Sequence, residues 1–165
     1  MREIILIAHN LRSSHNVGSL LRTADGLGIK TVYLSGYTPY PKKGNDKRLP
    51  HIADKLTKQI TKTALGAEDF IDWQHADDVI ALIEDLRRQG FQITALEQSP
   101  KSVRLTSYNA PNKVAIIVGR EVEGIEPEIL QAADDIIEIP MYGKKESFNV
   151  VQAAAMAMYQ LRFME

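Results

Sequence analysis

Three short segments of the chain gather small and polar residues where an ordinary strand-to-helix junction has no use for them. The first spans residues 10–24 and carries Asn10, Arg12, Ser14, Asn16, Gly18 and Arg22. The second, 118–125, carries Gly119, Glu121 and Gly124, and the third, 139–150, carries Met141, Gly143, Ser147 and Asn149. Glycines such as Gly119 and Gly124 let backbone approach a ligand closely. Glu121 supplies a carboxylate able to orient a partner. Asn16, Ser147 and Asn149 are also good helix caps, so a structural use competes with a chemical one. Arg22 offers a bidentate fork for anionic oxygens, but a guanidinium, with a pKa above about 12, has no acceptor for a proton. His9 and His15 lack a third ligand at metal-site spacing, so no metal is expected. With no cysteine in the chain, thiol nucleophiles and disulfides are excluded.

These segments need a scaffold, and the apolar, β-branched runs predict one. Strands are expected at 3–8, 30–35, 70–73, 91–96, 113–118 and 136–139, with amphipathic helical stretches between several of them. Such alternation predicts an α/β domain with a mainly parallel sheet and helices on both faces. The 165 residues, 44% of them apolar, suffice for one continuous core, and no repeat or linker divides them, so a single domain over 1–165 is expected. In open sheets of this kind ligands bind beyond the carboxyl ends of the strands, where all three polar segments fall.

The first helix is the clearest. Val17, Leu20, Leu21, Ala24 and Leu27 recur at helical spacing, Ser14 or Asn16 is expected to cap its start, and Gly28 suits its end. At about 100° per residue, Arg22 falls nearly opposite that stripe and should point away from the sheet. A further helix is expected at 127–133, opened by Pro127. The last helix, from near Asn149, has Gln152 as its only polar residue between Val150 and Met158. A helix apolar all round must be covered on more than one side, by its own domain or by a second subunit.

A net charge of −1 gives the molecule no strong field, so any affinity for nucleic acid must come from a local patch. The best candidate is the segment 36–50, whose three prolines and two glycines read as a mobile loop, and whose Lys42, Lys43, Lys47 and Arg48 could touch phosphate. Lys144 and Lys145 add to the same patch. The first residues lack the pattern of a signal peptide and no run reaches the roughly 18 apolar residues of a membrane span, so a soluble, cytoplasmic protein is expected.

In order and spacing the three segments resemble the signature motifs of the SpoU, or TrmH-like, family of the SPOUT superfamily. The matching residues are Asn10, Arg12, Asn16, Gly18 and Arg22, then Gly119, Glu121 and Gly124, then Ile139, Pro140, Met141, Gly143, Ser147 and Asn149. The resemblance covers essentially the whole chain. It implies a trefoil knot in the C-terminal half, S-adenosyl-L-methionine bent within the knot as cofactor, and methyl transfer to a ribose 2′-hydroxyl of RNA, tRNA ahead of rRNA. It further implies that Arg22, Asn16, Glu121, Ser147 and Asn149 organise the acceptor, and that Leu96, Gly119, Ile139, Met141, Ser147 and Asn149 hold the cofactor. Asn10 and Arg12 would contact RNA, joined by Lys42, Lys43, Arg48 and Lys144 from the basic patch. A homodimer through the first and last helices, with Arg22 serving the partner's cofactor, belongs to the same picture. Val151 and Phe148 depart from the family pattern, which usually has serine and a leucine or methionine there. Two rival readings are a non-catalytic RNA-binding knot protein and a base-nitrogen methyltransferase. The intact Arg22, Glu121 and Asn149 speak against the first.

Overall fold

The computed structural model describes residues 1–163. Among them, β1 (Glu3–His9), β2 (Thr31–Ser35), β3 (Asp72–Ala76), β4 (Gln92–Leu96), β5 (Val103–Arg104), β6 (Lys113–Val118) and β7 (Asp135–Glu138) form one sheet. Its order is β3-β2-β1-β6-β4-β7-β5, and every pairing is parallel. The helices are α1 (Ser14–Gly26), α2 (Pro50–Ala64), α3 (Val79–Arg88), α4 (Pro127–Ala132) and α5 (Val150–Phe163).

The two central strands show why their sequences are unbrokenly apolar. Ile4, Leu6 and Ala8 of β1, with Val114, Ile116 and Val118 of β6, pack on one side with α1, α2 and α5. Ile5 and Ile7, with Ala115 and Ile117, pack on the other with α3 and α4. Both faces are therefore covered, which is what near-continuous β-branched runs in a parallel sheet require. The expected α/β architecture with helices on both faces is present.

Local details correct several expectations. The cap of α1 is Ser13, whose side chain accepts from the Asn16 N–H at 3.2 Å; neither Ser14 nor Asn16 serves. Gly28 follows the end of α1 with φ +65, a conformation that suits glycine. The third strand begins later than the run 70–73 suggests. Gly66, at φ +94, leads into a 3-10 turn at Ala67–Asp69, and Phe70 lies past its end with 80% of its surface exposed. The strand then runs on through His75, whose Nδ1 bonds the Leu34 carbonyl. β5 was not expected: its two residues are both exposed and leave no periodicity to read. Helix α4 matches the expected 127–133 to within one residue at its end, and α5 starts one residue after Asn149.

On α5 only one face is covered within the subunit. Ala154, Ala157, Met158 and Leu161 are buried, while Met156, Tyr159 and Phe163 form an exposed apolar stripe. Arg22 is exposed, as its angular position on α1 predicts. Helices α1 and α2 cross closely at Gly18, where a Cβ would lie 2.2 Å from the Ile60 carbonyl oxygen and from Thr63 Oγ1. That position is glycine because no side chain fits between the helices.

Candidate active site

The strand register sets the site. Ala8 pairs with Val118, Ala95 with Ile117, and Leu96 with Ile137. The carboxyl ends of β1, β6, β4 and β7 therefore lie side by side, and the chain leaves the sheet there at Asn10, Gly119, Glu97 and Ile139. All three polar segments meet at this edge. Between them is a cleft of about 160 Å³, open to solvent, whose walls include Leu96, Val118, Gly119, Glu121, Ile139 and Ser147.

Glu121 ties the second segment to the first. Its Oε2 accepts the Arg12 N–H at 3.2 Å, and its Oε1 accepts the Ser13 N–H and Asn16 Nδ2, both at 3.1 Å. Burial alone would raise the Glu121 pKa, but the donors from Ser13, Arg12 and Asn16 outweigh it and hold the carboxyl below its ordinary value. Spacing alone does not name the partner of this carboxylate. In the structure it is the start of α1, because backbone N–H groups there have no partner within the helix. Asn16 points its amide at Glu121.

The third segment is divided. Ile139, Phe148, Val150 and Ser147 line the cleft, whereas Met141 and Asn149 do not. Asn149 is occupied as a cap: its Oδ1 accepts the Val151 N–H at 2.8 Å and its carbonyl accepts from Ala153. Gln98 Nε2 donates to the Glu146 carbonyl at 2.7 Å, fastening this loop to the end of β4. Gly119 has a role other than clearance for a ligand. A Cβ there would lie 2.7 Å from the backbone carbon of Gly124, so the glycine lets the loop close on itself.

Several contributing residues carry no motif signal. Glu97 Oε2 accepts the Ile125 N–H at 3.0 Å and fills the space that a side chain at Gly124, with φ +71, would need. Beside it is a polar node. Asn10 Nδ2 donates to Glu126 Oε1 at 2.9 Å, Arg120 Nε lies 3.6 Å from the same oxygen, and His9 Nε2 lies 3.7 Å from Glu126 Oε2, a buried oxygen without a hydrogen bond. Burial lowers the His9 pKa against the opposing pull of Glu126, with Arg120 lowering it further. Burial raises Glu126, but Asn10, His9 and Arg120 together bring it below its ordinary value. A histidine at a strand end and a glutamate before a proline are too common for spacing to reveal the pair.

The basic residues fare differently from one another. Arg12 is exposed and pairs with Glu123 at 2.9 Å. Lys42 pairs with Asp54 at 2.8 Å. Lys43 Nζ lies 4.1 Å from the Trp73 ring centre and donates to the Trp73 carbonyl. Arg48 lies over the Tyr40 ring and bonds the Tyr40 and Pro41 carbonyls and Asp46, whose carboxyl it holds well below the usual range. Tyr40 in turn stacks on His75 at 4.1 Å. Most cations of the basic segment thus already have partners within the protein. Lys144 is exposed.

A parallel sheet carrying a cleft built from three loops at its carboxyl edge defines a ligand-binding α/β protein. A model of the SpoU rRNA methylase family matches residues 3–159, and the chain belongs to that family. It is 30% identical over 159 residues to a tRNA (guanosine(18)-2′-O)-methyltransferase of Aquifex aeolicus, covering 96% of this chain and 68% of that one. It is 29% identical over 160 residues to the enzyme of the same name from Borreliella burgdorferi, covering 96% and 65%. The chain therefore spans about two thirds of the length of these relatives. Among solved structures, the A. aeolicus TrmH/SpoU tRNA modifying enzyme superposes with a TM-score of 0.80 at 26% identity, over 98% of this chain and 75% of that one.

Proposed function

We propose that this chain transfers a methyl group from S-adenosyl-L-methionine to a ribose 2′-hydroxyl of RNA, with tRNA the favoured substrate. The observation that carries the reading is Glu121, which binds the start of α1 while lining the cleft that the third segment closes. The names of the relatives support the reaction type.

The cleft suits the cofactor. Leu96, Val118, Ile139 and Phe148 offer apolar walls for a purine, and Glu97 and Glu138 place carboxylates at its rim where hydroxyl and ammonium groups need acceptors. When bound, the cofactor supplies an electrophilic methyl group. The chain's own residues have to orient the acceptor and exclude water. In this reading Ser147 lies at the cleft, Asn16 and Asn149 fix the two helix starts that frame it, and Gly119 shapes its floor. Met141 serves through the loop backbone. Arg22, exposed and without an ion pair among the described residues, clamps the phosphate beside the target ribose rather than taking its proton.

Arg22 does not line its own cleft, and this favours a homodimer in which it reaches the partner's. The exposed stripe of Met156, Tyr159 and Phe163 on α5 supports an interface there, since such a stripe is costly to leave in water. The trefoil knot belongs to the same proposal: α5 lies on the same sheet face as α1 after a loop that crosses the carboxyl edge. So do the single domain over 1–165, supported by one sheet with two continuous cores, and a cytoplasmic location. Arg12, Asn10, Lys42, Lys43 and Lys144 are the RNA contacts in this reading, while Arg48 shapes the loop that presents them.

The test is incubation with methyl-labelled cofactor and unfractionated tRNA, followed by nuclease digestion and mass analysis of nucleosides. A 2′-O-methylated nucleoside is expected. A methylated base would replace this reading with the base-nitrogen one, and cofactor or RNA binding without any transfer would leave a non-catalytic binder.

A further inference from the structure

At the carboxyl end of β2 one aromatic ring is held out from an otherwise anchored turn. Gly36, at φ +63, bonds the Ala76 carbonyl through its N–H and has no room for a side chain, since a Cβ would lie 2.0 Å from Asn10 Oδ1. Thr38 is buried, its Oγ1 donating to the Ala8 carbonyl at 2.9 Å and accepting the Leu11 N–H at 3.0 Å. Between these fixed residues Tyr37 is 54% exposed. Its N–H donates to Asn10 Oδ1 at 3.0 Å, and the neighbouring Arg12, also exposed, pairs with Glu123 at 2.9 Å. The backbone N–H of Arg12 is the one held by Glu121 at the cleft. The turn that presents the ring is therefore fastened through Asn10 to the loop whose Arg12 N–H is held at the cleft wall.

Of the other exposed aromatic rings, Phe148 lines the cleft itself as a wall for the cofactor, and Tyr159 and Phe163 belong to the α5 stripe. Phe70 lies just before β3, at the opposite end of the sheet from the cleft. Tyr142 belongs to the loop after β7 and lines a separate groove beside α5. A ring in water contributes nothing to the core, and fixing it removes rotamer freedom. That arrangement has a use where a flat partner must be met in one orientation. Nucleobases are such partners, and they reach an aromatic ring only when unstacked from a helix.

We propose that Tyr37 is a stacking platform for an unpaired nucleobase at or beside the methylated nucleotide, with Arg12 meeting the adjoining phosphate, so that the substrate is a loop and not a duplex. The inference rests on the RNA reading above and narrows it to a structural class of substrate. Removing one base–ring stack in single-strand binders lowers affinity roughly tenfold.

Tyr37→Leu and Tyr37→Trp, compared with the wild-type chain, test it. Affinity for unfractionated tRNA, KM and kcat for methyl transfer, cofactor binding by calorimetry and thermal unfolding are measured on each. Tyr37→Leu is expected to weaken tRNA binding and raise KM about tenfold, with cofactor affinity and unfolding temperature unchanged, and Tyr37→Trp to restore binding. The introduced indole also reports directly, because the chain's single native tryptophan, Trp73, is buried. Its fluorescence should be quenched by an unstructured RNA oligonucleotide and not by the same strand in a perfect duplex. Unchanged tRNA affinity in Tyr37→Leu, or equal quenching by strand and duplex, overturns the platform while leaving the enzyme reading intact. A wild-type chain that binds neither tRNA nor the oligonucleotide overturns the RNA reading, and the platform with it.

Discussion

Glu121→Gln separates positioning from contact most cleanly. The carboxylate accepts three N–H groups, one on Oε2 and two on Oε1. An amide can keep the pair on one oxygen, but then its NH₂ faces the Arg12 N–H, donor against donor. A donor left without a partner costs about 1–3 kcal/mol when buried, and the partial exposure of this site argues for the lower end, about 1.5 kcal/mol. For a chain of this size that corresponds to a fall of roughly 3–6 °C in unfolding temperature. The pH dependence has a definite sign. The folded-state pKa of Glu121 lies below its ordinary 4.5, so its contribution is present above that value and is lost as pH falls through it. The gap between wild type and Glu121→Gln should therefore be full at neutral pH and narrow below about pH 4.5. Because the start of α1 shifts, methyl transfer should drop at least tenfold while cofactor affinity holds. Circular dichroism melts at several pH values, with the labelled-methyl assay alongside, measure both. Equal melting temperatures at neutral pH with normal turnover would refute the idea that this carboxylate couples the two loops.

Arg22→Ala is expected to reduce methyl transfer by at least two orders of magnitude without altering cofactor affinity. Mixed with Ser147→Trp, which blocks the cleft from an exposed position, it should regain roughly one quarter of wild-type activity if subunits exchange randomly and each site uses the partner's arginine; proven heterodimers without recovery would reject the shared site. Gly18→Ala should cost about 1–3 kcal/mol through the clash with α2, and Gly119→Val should lower the melting temperature as well as cofactor binding; a fully stable Gly119→Val would contradict the close approach of Gly124. Since burial lowers the pKa of His9 from 6.5, the unfolded chain binds more protons just below that value and stability should decline as pH falls through it; His9→Gln should flatten that part of the melting profile, and an unaltered profile would exclude His9 as the cause.

The elements that a sequence reveals best are those whose pattern repeats. β1 and β6 are legible because both their faces are buried, and α1 because its stripe recurs over three turns. Phe70 misleads because an exposed aromatic resembles a strand residue until the positive φ of Gly66 turns the chain beforehand. The three segments and their meeting at one edge were readable from residue type and from the parallel-sheet rule. The division of labour within them was not. A carboxylate's choice between an arginine and a helix start depends on loop geometry that no spacing encodes, as Glu121 illustrates. Equally, nothing in the run of lysines and prolines indicates that Arg48 and Lys43 fold back on Tyr40 and Trp73.

The position of β6 between β1 and β4 also governs the order in which the molecule can be made. As the chain leaves the ribosome, β1 can pair with β2, and β2 with β3, from neighbouring stretches of sequence. The other edge of β1 must wait until residues 113–118 appear, about a hundred residues later. Through that interval the nascent chain carries an apolar strand with one row of backbone groups unpaired, the kind of edge that recruits other chains. The cleft is a late product, because its floor and closing loop come from the last third of the sequence. Occupancy of the site by a ligand would thus report that synthesis has passed the closing loop, and products cut short of it would lack the cleft and be prone to associate.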